Sequence, residues 1–279
     1  MKTAKEINNT ILKTYRKDIW SKFMKAITTY DLLQEHDHIA VCISGGKDSM
    51  LLAKCFQLLQ RFSKIDFLVS YVVMDPGYSK KNRQKIIHNA KYLDIPIHIF
   101  NSDIFDSVVN LEKNPCYVCA RMRRGYLYHF AQTLGCNKIA LGHHFDDVIE
   151  TNVMNLFYAG EIRTMMPKLY AKNFIGMQLI RPFYLIQEKD IIRWQEHLHL
   201  DFLLCACKFT SNLELDRKEQ NSKRKEVKQW IQKYSEMNPF LKRNIFKSMS
   251  NVNTDKVLRY YNDEEEVSFL DTYDHIKKD

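Results

Sequence analysis

Short apolar runs alternate with helix-spaced stripes along most of the 279-residue chain. His38-Ile39-Ala40-Val41-Cys42-Ile43 stops abruptly at Ser44-Gly45-Gly46 and passes into Met50-Leu51-Leu52 and on to Leu59, which predicts strand, tight glycine turn and buried helix. The alternation continues. Ile65 to Met74, Ile95 to Phe100 and Lys138 to Leu141 read as strands, and Ser79 to Leu93, Tyr117 to Leu134 and Phe145 to Tyr158 as helices. A further strand is expected near Ile175 to Ile180, followed by a helix from Glu188 to His199. Continuous apolar strands separated by helices imply an α/β fold with a doubly wound parallel sheet covered on both faces.

The flanks read differently. Residues 1–35 are expected to be helical, with Ile7, Ile11, Leu12 and Tyr15 on one face and lysines on the other. Residues 36–210 form the expected catalytic domain. Residues 211–262 read as a basic helical extension: Arg217, Lys218, Lys223, Arg224, Lys225 and Lys228 begin a run interleaved with Trp230, Tyr234 and Phe246. An RNA surface and a solvated helix face both explain that run. Residues 263–279 are acid-rich without periodicity and are expected to be a mobile tail.

Lys plus Arg at 42 against Asp plus Glu at 33 gives a formal charge of +9, which suits a polyanionic partner such as nucleic acid. Hydrophobic residues at 45% and charged residues at 27% exclude a disordered, collagenous or coiled-coil chain. The Lys-studded segment from Met1 to Tyr15 resembles neither a secretory signal nor a membrane anchor, so a cytoplasmic protein with no membrane partner is expected.

Seven cysteines, an odd number, turn attention from disulfides to metal or redox chemistry. Cys42, Cys55 and Cys136 lie in apolar runs and read as core. Cys116 and Cys119 are two residues apart, and Arg121, Arg123 and Arg124 beside them favour thiolate, which a redox disulfide, half a zinc site and an iron–sulfur site all require. Cys205 and Cys207, separated by one residue, point in opposite directions if extended, so one of the two is expected to join them.

Ser44-Gly45-Gly46-Lys47-Asp48-Ser49 is the sharpest signal, because it sits where a strand hands over to a helix. Two glycines allow a positive-φ turn that brings backbone N–H groups to an anion, and the helix N-terminus adds partial positive charge. Ser44 and Ser49 add hydroxyls, Lys47 a cation, and Asp48 a carboxylate able to hold Mg²⁺. The spacing is not that of a Walker A loop or a dinucleotide fingerprint. Gly142-His143-His144-Phe145-Asp146-Asp147 closes a later strand and opens a helix beside that loop if the sheet is doubly wound. Its acidic pair can serve a metal, chemistry, or helix capping alone.

The six-residue string resembles the PP-loop of the ATP pyrophosphatases, which split ATP between the α and β phosphates. Further strings resemble the TtcA family of tRNA 2-thiocytidine synthetases: Pro115-Cys116-x-x-Cys119 with its Arg-Arg-Gly trailer, Leu141-Gly142-His143-His144-x-Asp146-Asp147 with Glu150-Thr151, Asn155-x-Phe157-Tyr158, Met166-Pro167-Lys168 and Arg181-Pro182. The likeness runs from about residue 30 to 210. It implies adenylation and thiolation of a cytidine, at position 32 of the tRNA anticodon loop, with ATP, Mg²⁺ and a [4Fe-4S] cluster on three cysteines. On this resemblance Lys47, Asp48, Asp146 and Asp147 are the expected catalytic residues, and Ser44 to Ser49 bind ATP with Gly142 and His143 as further contacts. Cys116, Cys119 and Cys207 are the expected cluster ligands. The chain departs from the family at the third cysteine: Phe202-Leu203-Leu204-Cys205-Ala206-Cys207 replaces a Phe-Pro-Ile-Ile-Pro-Cys block, which leaves Cys205 as the alternative ligand. A sulfur donor such as a cysteine desulfurase is implied as a partner beside tRNA, and a homodimer is allowed. Other readings are a PP-loop enzyme acting on a different nucleoside, a lysidine-synthetase-like ligase with a structural zinc site, and a basic RNA-binding module without catalysis.

Overall fold

The computed structural model describes residues 2–102, 115–203 and 214–273, with 115–121, 214–222 and 272 described as backbone only. The N-terminal region is helical as far as Thr29: α1 (Ala4–Asn9), π-helical turns at Thr10–Thr14 and Arg16–Trp20, then α2 (Ser21–Thr29). Ile7, Ile11, Tyr15, Ile19, Phe23 and Ile27 are all buried, a strict four-residue repeat. Such a repeat exceeds 3.6 residues per turn and would drift around an ideal helix; the wider i→i+5 turns take up the excess and keep the stripe on the core. Tyr15 Oη donates to Arg193 O at 2.9 Å, fixing this region to a helix far along the chain.

The central elements follow the predicted alternation: β1 (His38–Ile43), α3 (Lys47–Phe62), β2 (Leu68–Asp75), α4 (Lys80–Tyr92), β3 (Ile97–Asn101), α5 (Pro115–Thr133), β4 (Lys138–Ala140) and α6 (Phe145–Met154). Then come β5 (Lys168–Tyr170), β6 (Gln178–Ile180) and α7 (Glu188–Leu198). The sheet order is β3-β2-β1-β4-β6-β5, parallel except for β5, which runs antiparallel to β6 at one edge. Ile39 of β1 lies opposite both Val69 of β2 and Lys138 of β4. Alternate β1 residues face opposite cores: Ile39, Val41 and Ile43 pack with the N-terminal helices, α3 and α7, while Ala40 and Cys42 pack with Tyr128 and Ala131 of α5. The sheet is therefore doubly wound.

Cys42, Cys55 and Cys136 are buried free thiols in these cores. Burial pushes the Cys42 thiol up to about 12 and that of Cys136 to about 11, which removes thiolate reactivity from both. Lys138 Nζ, also buried, donates to Asp37 at 2.6 Å and to Leu32 O at 3.2 Å, so its charge is compensated inside the core.

Several boundaries differ from the sequence expectation. The strand expected from Ile65 begins at Leu68, and that expected from Ile175 begins at Gln178, after a turn through Gly176 at φ 78°. The helix expected to reach Tyr158 ends at Met154 and widens into a π turn over Asn155–Ala159. The basic extension is helical, as α8 (Glu214–Met237) and α9 (Leu241–Ser248). Beyond it β7 (Arg259–Tyr261) pairs with β8 (Glu266–Ser268), and α10 (Phe269–Tyr273) follows, so the described part of the stretch expected to be a mobile tail, from residue 263 to 273, carries a hairpin strand and a helical turn. No helix among the described residues is long and apolar enough to cross a membrane.

Candidate active site

β1 has β2 on one side and β4 on the other, and the chain leaves the sheet in opposite directions from this pair. The loops after β1 and β4 therefore meet at the topological switch point, where a doubly wound sheet opens its binding crevice.

The first loop is built for an anion. Gly45 has φ 84°, and a Cβ there would lie 2.7 Å from Ile86 Cγ1 and 3.0 Å from Leu203 Cδ1, so only glycine fits. Gly46 is the N-cap of α3 and supplies no side-chain cap, leaving the first N–H groups of a 16-residue helix unpaired by a cap and aimed at the crevice. Ser49 Oγ fixes the turn by donating to Gly46 O at 3.0 Å and accepting from Ser44 N at 3.2 Å. Lys47 Nζ lies 3.1 Å from Asp48 Oδ1 and 3.3 Å from Glu188 Oε1. Asp48 Oδ1 is enclosed and makes no hydrogen bond of its own; the Lys47 ammonium at 3.1 Å is the charge that compensates it.

The second loop fits against the first. A Cβ on Gly142 would meet the Asp48 carbonyl carbon and Ser49 N, both at 3.2 Å. His144 caps α6: its Nδ1 accepts from Asp147 N at 3.4 Å while Asp147 Oδ2 accepts from His144 N at 3.0 Å, a reciprocal capping box. Asp146 Oδ2 accepts from Glu188 N at 2.7 Å and so holds the start of α7. Capping is thus a real part of what the acidic pair does.

The C-terminal helices supply the counter-charges. Arg224 reaches Asp147 at 2.5 Å and Glu150 at 3.0 Å, Lys228 reaches Glu188 at 2.6 Å, and Lys242 reaches Asp146 at 2.7 Å. Burial alone would raise the Glu188 carboxyl, but Lys228 and Lys47 outweigh it and hold the group at about 2. Burial raises Glu150 despite the Arg224 charge beside it. The basic run is therefore not a uniform outward face: Arg224 and Lys242 are half-buried against acidic partners and the exposed Lys228 pairs with Glu188, while Lys223, Lys225 and Lys233 are exposed. Sequence reasoning missed Glu188 and the inward role of Arg224. Each contact joins residues at least 40 apart, and no local periodicity reports such a pair.

Between the loops and α5 lies a cavity of about 630 Å³, lined among others by Ser44, Asp48, Met74, Arg123, His143 and Arg181. That volume is in the range that holds a nucleotide-sized ligand. Burial lowers His143 to about 4, and its buried Nδ1 has no hydrogen-bond partner, so a neutral imidazole faces the cavity with one nitrogen open. Arg181 donates to Met166 O, and burial lowers it to about 10, still fully charged near neutrality.

A family model described as the PP-loop domain matches residues 15–214. The chain is 32% identical over 232 residues to tRNA-cytidine(32) 2-sulfurtransferase of Citrifermentans bemidjiense, covering 82% of this chain and 88% of that one. It is 33% identical over 260 residues to tRNA-cytidine(32) 2-sulfurtransferase 1 of Francisella tularensis subsp. novicida, covering 90% and 93%. The chain belongs to the PP-loop tRNA-cytidine(32) 2-sulfurtransferase family. Among solved structures, the U34-tRNA thiolase of Methanococcus maripaludis with its [4Fe-4S] cluster matches with TM-score 0.61 at 21% identity, over 84% of this chain and 79% of that one, and supports the fold.

Of the residues singled out in the sequence, Ser44, Asp48, Ser49, Gly142, His143 and Asp147 line the cavity, Gly45, Gly46 and Lys47 lie in the loop at its edge, and Asp146 is buried behind it, where it accepts from Glu188 N and Lys242. The side chains of Cys116 and Cys119, and the whole of Cys205 and Cys207, lie outside the described residues. Two flanking facts bear on them. Cys116 and Cys119 precede Arg123 on α5 at spacings that keep one helix face, and Arg123 lines the cavity. Leu203 N donates to Gly45 O at 3.1 Å, so the segment leading to Cys205 leaves from the phosphate loop itself. Among the described residues no three His, Cys, Asp or Glu side chains are grouped to hold a metal ion.

Proposed function

We propose that the chain is an ATP-dependent tRNA sulfurtransferase that converts a cytidine, at position 32 of the anticodon loop, to 2-thiocytidine. The observation that carries this reading is the uncapped glycine loop meeting the His143–Asp147 loop at the switch point, in a chain whose relatives bear that activity in their names. The cytosine O2 attacks the α-phosphorus of ATP, the bond from that phosphorus to the bridging oxygen breaks, and pyrophosphate leaves. The N–H groups at the start of α3 and the Lys47 ammonium are placed to receive the growing negative charge. Mg²⁺ would be held by the Asp48 carboxylate, which lines the cavity and is now paired with Lys47 at 3.1 Å, and would share that charge. His143, neutral and open at Nδ1, can orient the nucleotide or the base by hydrogen bonding. Asp146 and Asp147 hold His144 and the start of α7 in register with the loop.

A [4Fe-4S] cluster held by Cys116, Cys119 and Cys207, or Cys205 as third ligand, would supply the sulfur that replaces O2 at C2 as AMP leaves. The backbone positions on α5 and at Leu203 support that assignment. The reading also includes a cytoplasmic protein, a sulfur donor such as a cysteine desulfurase, and a division into residues 1–35, 36–210, 211–262 and 263–279, and it allows a homodimer without requiring one. The test is nucleoside mass spectrometry of tRNA incubated with the anaerobically reconstituted chain, ATP, Mg²⁺ and sulfide, with AMP measured in parallel. ATP-dependent 2-thiocytidine is expected. A thiolated uridine would move the reading to a different nucleoside, and AMP with no thionucleoside would return it to a ligase.

A further inference from the structure

We infer that the π turn at Asn155–Ala159 and the adjoining face of α8 form a stacking platform for unpaired bases of the tRNA anticodon loop. This rests on the tRNA reading above and names where that RNA is held. The turn departs from α6 at a widened helical register and is closed by Gly160 in the left-handed region at φ 62°. As a result three consecutive side chains, Leu156, Phe157 and Tyr158, face outward, with Phe157 53% and Tyr158 43% exposed. An ordinary amphipathic turn would have buried one of them.

The rings are assembled. Phe157 meets Trp230 edge-on with centroids 5.6 Å apart, and Trp230 lies 4.7 Å from Tyr234, itself 39% exposed. Lys223 Nζ stands 5.4 Å from the Tyr158 centroid and Lys233 Nζ 5.9 Å from that of Tyr234. The nearby carboxylates are engaged: Glu226 accepts from Tyr158 Oη at 2.8 Å, and Glu161 lies 3.4 Å from Arg163. Exposed aromatic faces bordered by cations suit a single-stranded nucleic acid, whose bases stack while phosphates meet lysine. A continuous duplex offers no free base faces to such a surface.

The platform is also continuous with the crevice. Lys223 over Tyr158 is next in sequence to Arg224 on Asp147. The chain beyond Tyr158 turns back, with Asn155 Nδ2 donating to Arg163 O at 2.8 Å, and reaches the cavity wall at Met165. Those seven residues span at most ~25 Å, so a loop stacked on the rings can extend one of its bases to the phosphate loop.

The test compares the full chain with Phe157→Leu and with Phe157→Leu/Tyr158→Leu, substitutions that keep apolar bulk against Trp230 but remove the π faces. Fluorescence anisotropy measures binding of an anticodon stem-loop RNA and of a fully paired RNA of equal charge, each across a salt titration. Thermal unfolding and ATP binding check that the fold is retained. The double variant is expected to lose roughly ten-fold or more in stem-loop affinity, with paired-RNA affinity and the salt slope unchanged. Unchanged stem-loop affinity, or an equal loss on both RNAs, overturns the platform. So does a drop in sedimentation coefficient of the RNA-free variant, which would make the patch a face between two copies of the chain. Because binding is read without turnover, loss of the thiolation reading in its own assay leaves this result separately interpretable.

Discussion

Arg224 holds two acidic residues of α6 at once, Asp147 through Nη2 at 2.5 Å and Glu150 through Nε at 3.0 Å. Glu150 is buried, so it depends on that guanidinium for compensation. Arg224→Ala is expected to cost ~1–2 kcal/mol of stability, read as a lowered Tm, because a carboxylate is left in the interior without its partner. Lys223→Glu and Lys225→Glu, whose side chains face solvent, are expected to flatten the salt dependence of RNA binding with little change in Tm. Equal Tm losses at all three positions would contradict the division into inward and outward cations.

Lys47→Ala is expected to abolish ATP-dependent thiolation while the far-ultraviolet circular dichroism spectrum stays unchanged. Glu188→Gln acts on the same lysine from the other side, by releasing the contact at 3.3 Å. It is expected to change the KM for ATP more than kcat, since Lys47 is freed in the ground state and still present in the transition state. A fall in kcat at unchanged KM would place Glu188 in the chemistry.

At Gly45 two separate penalties can be told apart. Gly45→Ala imposes a left-handed φ on a side chain and a contact of 2.7 Å with Ile86 Cγ1. The backbone strain costs ~1 kcal/mol, and the contact adds a term that Ile86→Ala should relieve. Because Ile86 is itself buried, Ile86→Ala lowers Tm on its own; the loss caused by Gly45→Ala is expected to be smaller, but not absent, in the Ile86→Ala background, and its disappearance there would mean that the turn tolerates any residue.

His143 gives the stability curve an acid limb. Its folded value of about 4 lies below the ordinary 6.5, so protons bind the unfolded chain first. Stability should therefore be level above pH 6.5, fall as pH drops through the interval, and level again below about 4. The loss is at most ~3 kcal/mol and less for a half-buried ring. His143→Asn should reduce that limb in a series of urea midpoints, leaving the part contributed by His38, which burial also lowers; an undiminished limb would assign the titration to another group.

Cys→Ala at positions 116, 119, 205 and 207, followed by iron content and absorption near 400 nm after anaerobic reconstitution, decides the cluster ligands. Loss of iron at 116, 119 and 207 with retention at 205 is expected. Retention at 207 and loss at 205 would exchange the third ligand, and loss at all four would favour four protein ligands.

The central alternation was legible because parallel strands buried on both faces leave continuous apolar runs such as Ile39 to Ile43. The phosphate loop was legible because the whole string Ser44 to Ser49 sits where a strand hands over to a helix; its glycine pair alone would mark only a tight turn. β5, β7 and β8 are as short as β4 and β6, three residues each, but they lie exposed or half-exposed and so lack the apolar run that marked those two. The ion pairs of Arg224, Lys228 and Lys242 were hidden because a lysine run looks the same whether it meets water, phosphate or a carboxylate from a distant helix.

The contact of Gly142 with the Asp48 and Ser49 backbone leaves the two crevice loops no space to approach further. Their conformational freedom is given up during folding, before nucleotide arrives, so ATP meets donors already in position and its affinity is not diminished by the entropy of ordering them. The calorimetric consequence is a small entropy penalty for the phosphate portion of the ligand. Pyrophosphate alone should therefore bind with nearly the same entropy as the triphosphate end of ATP.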